Sequence, residues 1–108
     1  MPGKHYVLYR LIPPRPDFAM TMSEQETAVM AEHSSYWTVH RDRGAAVVLG
    51  PVLDPAGVWG LGVLELDDPA EAEALRAGDP AVASGLCTAE LLPMLSAITR
   101  PHIPGGSA

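Results

Sequence analysis

The sequence contains one cysteine, Cys87, and one phenylalanine, Phe18, among its 108 residues. A lone cysteine excludes an internal disulfide and any metal cluster built from several thiolates. Cys87 is read as a small buried apolar side chain. Basic residues are also scarce: seven lysines and arginines stand against thirteen acids, a net charge of −6. Phosphate binding needs a basic patch, which argues against nucleic acid or an anionic membrane as the main partner. No apolar run approaches the roughly 18 residues that span a bilayer. Met1-Pro2-Gly3-Lys4-His5 lacks the apolar stretch of a signal peptide, and a cytoplasmic location is expected. The chain has no glycine-rich phosphate loop, no G-x-S-x-G nucleophile motif and no His or carboxylate spacing of a metal site. No cofactor and no metal are therefore expected.

What is present suits one small core. A chain of this length corresponds to a single domain, read as residues 1–98, with a loosely held tail over 99–108 that is rich in proline and glycine. Tyr6 to Ile12, rich in β-branched and aromatic residues, is the first strand. Pro13-Pro14-Arg15-Pro16 stops it and predicts a stiff loop to about Thr21. Ser23-Glu24-Gln25-Glu26 is a capping box, opening a helix that ends near Arg43 with Gly44 beyond it. At about 100° per residue, Glu26, Val29, Met30, His33, Tyr36, Trp37 and His40 share a sector of roughly 120°.

Ala45 to Leu49 is a second strand, with Gly50-Pro51 as its terminator. Asp54-Pro55-Ala56-Gly57 predicts a type I turn into a third strand, Val58 to Leu66. Asp68 and Pro69 announce a second helix as its cap and first residue, running to about Ala77. Asp79-Pro80 repeats that signal for a short helical turn ending at Gly85, and Thr88 to Leu95 is the fourth strand. The order is βαββαβ, a ferredoxin-like α+β motif with two helices on one face of a four-stranded antiparallel sheet. A monomer's other face should be polar. Trp59, Leu61 and Val63, Val47-Val48-Leu49 and Leu91-Leu92 leave neither face polar, so the expected cover is a second copy of the same sheet.

The residue with chemical interest is His33, inside the apolar stripe. An unpaired buried polar group costs roughly 1–3 kcal/mol, so its ring needs a partner. A backbone carbonyl could serve, leaving an ordinary core histidine. Asp79 is the alternative: a carboxylate on one ring nitrogen frees the other as acid, base or donor, near operating pH. Asp79 also has a sufficient role as a helix cap, and the two roles are compatible because a carboxylate has two oxygens. His40, two turns on, is about 10 Å away by helix rise, and reads as a surface residue favoured by the dipole. Tyr36 and Trp37 are core packing that could also wall a flat ligand, together with Tyr9. Arg10 or Arg15 is the expected anion contact at the rim.

The ordered set of these features resembles the YCII-related (YciI-like) family. The carrying residues are Tyr6-Val7-Leu8-Tyr9, then His33 with Gly44 eleven residues on and Gly50-Pro51 at seventeen and eighteen, and finally Asp79-Pro80 with Val82 and Gly85. Arg10 to Pro16 and His33-x-x-Tyr36-Trp37 are similar to one bacterial branch. The resemblance implies a ferredoxin-like fold of the dimeric α+β barrel type, a homodimer with sheets back to back, and an active site centred on His33 and Asp79. It assigns no role to His40 or Cys87 and supplies no substrate. Two readings are open. The first is a small cofactor-independent enzyme, isomerase- or lyase-like, with His33 and Asp79 catalytic and Tyr9, Arg10, Tyr36, Trp37, Gly50 and Pro51 around a small cyclic or aromatic molecule. The second is a non-catalytic ligand-binding or accessory protein.

Overall fold

The computed structural model describes residues 3–101. The elements run β1 (His5–Ile12), α1 (Phe18–Thr21), α2 (Glu24–Asp42), β2 (Ala46–Val52), β3 (Trp59–Leu66), α3 (Glu71–Gly78), α4 (Pro80–Ala83) and β4 (Thr88–Pro93). The strands form one antiparallel sheet in the order β2-β3-β1-β4. Val7, Tyr9 and Leu11 of β1 and Leu64 and Leu66 of β3 share one core with Trp37, Ala72 and Leu75 from the helices. Both long helices therefore cover the same face. This is the ferredoxin-like α+β arrangement.

Local chemistry explains most of the elements. Ser23 Oγ accepts from the Glu26 N–H at 3.1 Å, and the Glu26 carboxylate accepts from the Ser23 N–H at 2.9 Å. The seven residues of the expected sector are the least exposed of α2, and Trp37 alone is fully buried. Gly44 takes φ of 90° after the helix, a conformation that costs a side-chain-bearing residue steric strain. Asp79 caps α4, its side chain accepting from the Ala81 N–H at 2.9 Å, with Pro80 as the first helical residue.

Several elements depart from the sequence expectation. The loop after β1 contains a helical turn, α1, because Phe18 buries itself and draws the segment inward. Gly50-Pro51 does not end β2; the strand continues to Val52 with Pro51 opposite Gly60. β2 is an edge strand, where a proline's missing N–H need not interrupt a ladder. Asp68 does not cap α3. Its side chain accepts from the Ala70 N–H at 2.9 Å and forms a turn, so the helix begins at Glu71 rather than Pro69. β4 ends at Pro93 instead of Leu95. The expected tail lies, from residue 102 onward, outside the described residues.

Two features of the sheet bear on function. On its inner face β3 presents Gly60 and Gly62 before Leu64 and Leu66, so at that end the inner side chains come from the neighbouring strands: Leu11 packs beside Gly60, and Leu49 and Tyr9 beside Gly62. On its outer face the register aligns Leu8, Ile12, Val48, Leu61, Val63 and Leu92. Val48 and Leu92 are about half exposed there.

Candidate active site

Asp79 is fully buried, at the junction of α3 and α4. Gly78 brings α2 close to this junction: a Cβ on Gly78 would lie 2.7 Å from Tyr36 Oη. The carboxylate accepts from four groups. Oδ1 takes the Ala81 N–H at 2.9 Å and His33 Nδ1 at 2.8 Å. Oδ2 takes Trp37 Nε1 and Tyr9 Oη, both at 2.8 Å, and His33 Nδ1 also lies 3.0 Å from it. Burial alone pushes the Asp79 pKa up. The hydrogen bonds from His33, Trp37 and Tyr9 outweigh burial and hold it below the usual aspartate range. Tyr9 moves the other way: burial and the neighbouring Asp79 charge raise its phenol well above its ordinary value, so it remains a donor.

These partners fix the histidine tautomer. An indole N–H and a backbone N–H can only donate, and an ionised carboxylate can only accept. The hydrogen between His33 and Asp79 therefore resides on Nδ1 when the ring is neutral, and Nε2 carries the lone pair. Among the described residues Nε2 has no hydrogen-bond partner, and it is not a buried orphan, so it keeps contact with solvent. We expect ¹⁵N spectra at mildly alkaline pH to give a protonated-type shift for Nδ1 and a lone-pair-type shift for Nε2. The reverse pattern would contradict this hydrogen-bond arrangement.

His33 opens onto a cavity of about 470 Å³. Gly60 of β3 contributes to it by adding no side chain of its own to the sheet under α2. Tyr9, Leu11 and Gly60 form the floor, Leu49, Gly50 and Pro51 of β2 one wall, and Met30, His33 and Trp37 of α2 the other. Phe18 and Met22 close the top. That cover is clasped to α2 by Arg15, whose guanidinium donates to both Glu26 oxygens at 2.8 and 2.9 Å and to the Thr21 carbonyl at 2.7 Å. The same pairing pulls the Glu26 pKa down to about 2.

Of the residues singled out in the sequence, Tyr9, His33, Trp37, Gly50 and Pro51 meet at this cavity, with Asp79 behind His33. Tyr36 and Arg10 do not line it. Tyr36 donates to the Leu75 carbonyl at 2.8 Å and packs α2 against α3, because one helical step turns it away from Trp37. Arg10 lies on the outer sheet face, stacked over Trp59 at 4.8 Å and 3.6 Å from Glu90. Alternation along a strand dictates this once Tyr9 points inward. Arg15 is committed to Glu26 and offers no free rim cation. His40 is partly buried, not a surface residue: its ring packs edge-on to Tyr36 at 4.5 Å and its Nδ1 accepts from Arg43. Burial and the Arg43 charge lower its pKa. Burial and the Asp79 charge push the buried Cys87 thiol up to about 11, so it lines the cavity as a neutral group.

Three polar lining residues of α2 are not marked by any motif in the sequence. Ser34, Thr38 and Arg41 form a polar strip along α2 at the cavity edge. Their spacing of four and three residues, just outside the apolar sector, is the one signal that points to them. Among the described residues no three His, Cys, Asp or Glu side chains come together in a way that could hold a metal ion.

The structure thus combines a ferredoxin-like sheet with an apolar cavity lined by His33, whose ring is hydrogen-bonded to the buried Asp79. The YCII-related domain model matches residues 6–95, and the chain belongs to that family. No curated protein and no solved structure gives a match. Among the described residues no helix is long and apolar enough to cross a membrane.

Proposed function

We propose that the protein is a small cofactor-independent enzyme in which His33 moves a proton on a small cyclic or aromatic molecule bound in the cavity. One observation carries this reading: His33 Nδ1 is tied to the Asp79 carboxylate at 2.8 Å while Nε2 has no hydrogen-bond partner among the described residues, its ring lining the cavity. Nε2 takes a proton from a carbon next to a carbonyl, and the electron pair moves to the carbonyl oxygen. Asp79 holds the imidazolium that forms. The pair then collapses in one of two ways: it collects the proton at another carbon, an isomerisation, or expels a leaving group from the adjacent carbon, an elimination. Either suits a single positioned acid/base, which contributes about 10²–10⁴-fold.

The test is deuterium uptake by a panel of cyclic ketones, lactones and aromatic ketones in D₂O, followed by proton NMR. We expect protein-dependent exchange at the activated carbon in at least one class. Compounds that bind without exchanging would favour the non-catalytic binding module.

We also propose that the working form is a homodimer joined through the outer sheet faces. The apolar row from Leu8 to Leu92 supports this, since water would otherwise meet a contiguous apolar face. Light scattering at micromolar concentration should return twice the chain mass. A monomer would rule the dimer out, and aspartate substitution at Val48 should break it if it forms.

A further inference from the structure

We propose that Arg41 anchors an anionic group, a carboxylate, on the molecule that occupies the cavity, and so sets its substrate class. This rests on the reading of the cavity as the site for a small ring compound.

The protein carries a net charge of −6, so its overall field repels anions. Asp79 is sealed away from the cavity at 0% exposure, and no acidic side chain lines the cavity among the described residues. Among those residues Arg41 is the one formally charged side chain that does. An acidic protein thus presents a cation, and no anion, to this apolar cavity.

Arg41 is also well placed along the helix. It lies eight residues beyond His33, an axial rise of about 12 Å, and helical side chains lean toward the N-terminus. Arg41 lines the same cavity as His33, and a turn of its side chain away from Asp42 would bring the guanidinium over a ring with a short acidic arm. Ser34 and Thr38 occupy the interval. Thr38 Oγ donates to the Ser34 carbonyl at 2.8 Å, while Ser34 Oγ has no partner among the described residues and can donate to a ligand oxygen.

The existing partner of Arg41 is no obstacle. Asp42 accepts from its Nε at 3.0 Å and Nη2 at 2.7 Å, but both side chains are more than half exposed. Such surface pairs contribute about 0–1 kcal/mol. Nη1 remains free of protein acceptors among the described residues.

Affinities of phenylacetate and 3-phenylpropionate, each against its primary amide, test the proposal by ligand-observed NMR. The His33 ring signals report whether the probe sits in the cavity. The carboxylates should bind at least about tenfold tighter than the amides, the ratio carried by one charge-assisted hydrogen bond. Arg41→Gln should bring that ratio close to one with amide binding unchanged, and Arg41→Lys should restore much of it. Arg41 is exposed enough that both variants should fold, which thermal melts would verify. Equal binding of acid and amide to the unaltered protein, with His33 signals shifted, would overturn the anchor and leave the ring-binding cavity intact. Failure of both probe types to shift the His33 signals would overturn the ring-binding reading and the anchor with it.

Discussion

Asp79→Ala is expected to lower folding stability by about 3–5 kcal/mol, the cost typical of breaking a buried charged network by removing one partner. The carboxylate joins β1, α2 and α4 through Tyr9, His33, Trp37 and the Ala81 N–H. Its loss leaves an indole N–H and a phenol buried without acceptors, each costing about 1–3 kcal/mol. Urea titration should show a lower midpoint with an unchanged slope. A loss below about 1 kcal/mol would mean that Asp79 contributes little to the core. The pH dependence has a definite sign. Because the native Asp79 pKa lies below its ordinary value near 4, the unfolded chain binds the proton more readily. The contribution is complete above that ordinary value and is lost as pH falls through the native one. Asp79→Asn should therefore be less stable at neutral pH and converge on the unaltered protein in acid.

His33→Gln is expected to reduce proton exchange at the activated carbon by about 10²–10⁴-fold, the range for removing a positioned acid/base. Glutamine can still donate an amide N–H to Asp79, so the buried network keeps its fourth donor and stability should change little. His33→Ala should lose the same activity together with about 1.5–3 kcal/mol of stability, the range for one hydrogen bond to a charged group. The two variants separate chemistry from architecture, because only the histidine can accept and return a proton. Exchange in His33→Gln within about twofold of the unaltered protein would sink the acid/base role. The cavity would then belong to a binding module.

Much of the site is legible in the amino-acid sequence. The capping box at Ser23 and the 100° periodicity place His33 on the buried side of α2, and the Asp79-Pro80 signal places a carboxylate at the start of α4. These are local rules, satisfied within one or two helical turns. The departures share a cause as well. Arg10 is expected at the site beside Tyr9, yet adjacent strand residues face opposite ways. Tyr36 is expected there beside Trp37, yet one helical step rotates it out. Neighbours in sequence are not neighbours in a cavity. Arg41 goes unmarked for the complementary reason: it lies two turns from His33 and just outside the apolar stripe, where a helix gives no hint of what it faces.

The amino-acid sequence alone specifies the order of the four strands and the two longer helices, the buried stripe of α2, and the two helix caps at Ser23 and Asp79. Alternation and helical period are properties of the local backbone. That Asp79 does more than cap follows from the packing of distant elements. The carboxylate and the imidazole are 46 residues apart, and their meeting depends on how far α2 slides along α3 and α4. That offset is set by Tyr36 against Gly78 and by Trp37 and Tyr9 converging on Oδ2. The cavity has the same origin. Gly60 is merely a missing side chain in the sequence, and it becomes empty space only when α2 is held above it by contacts made elsewhere.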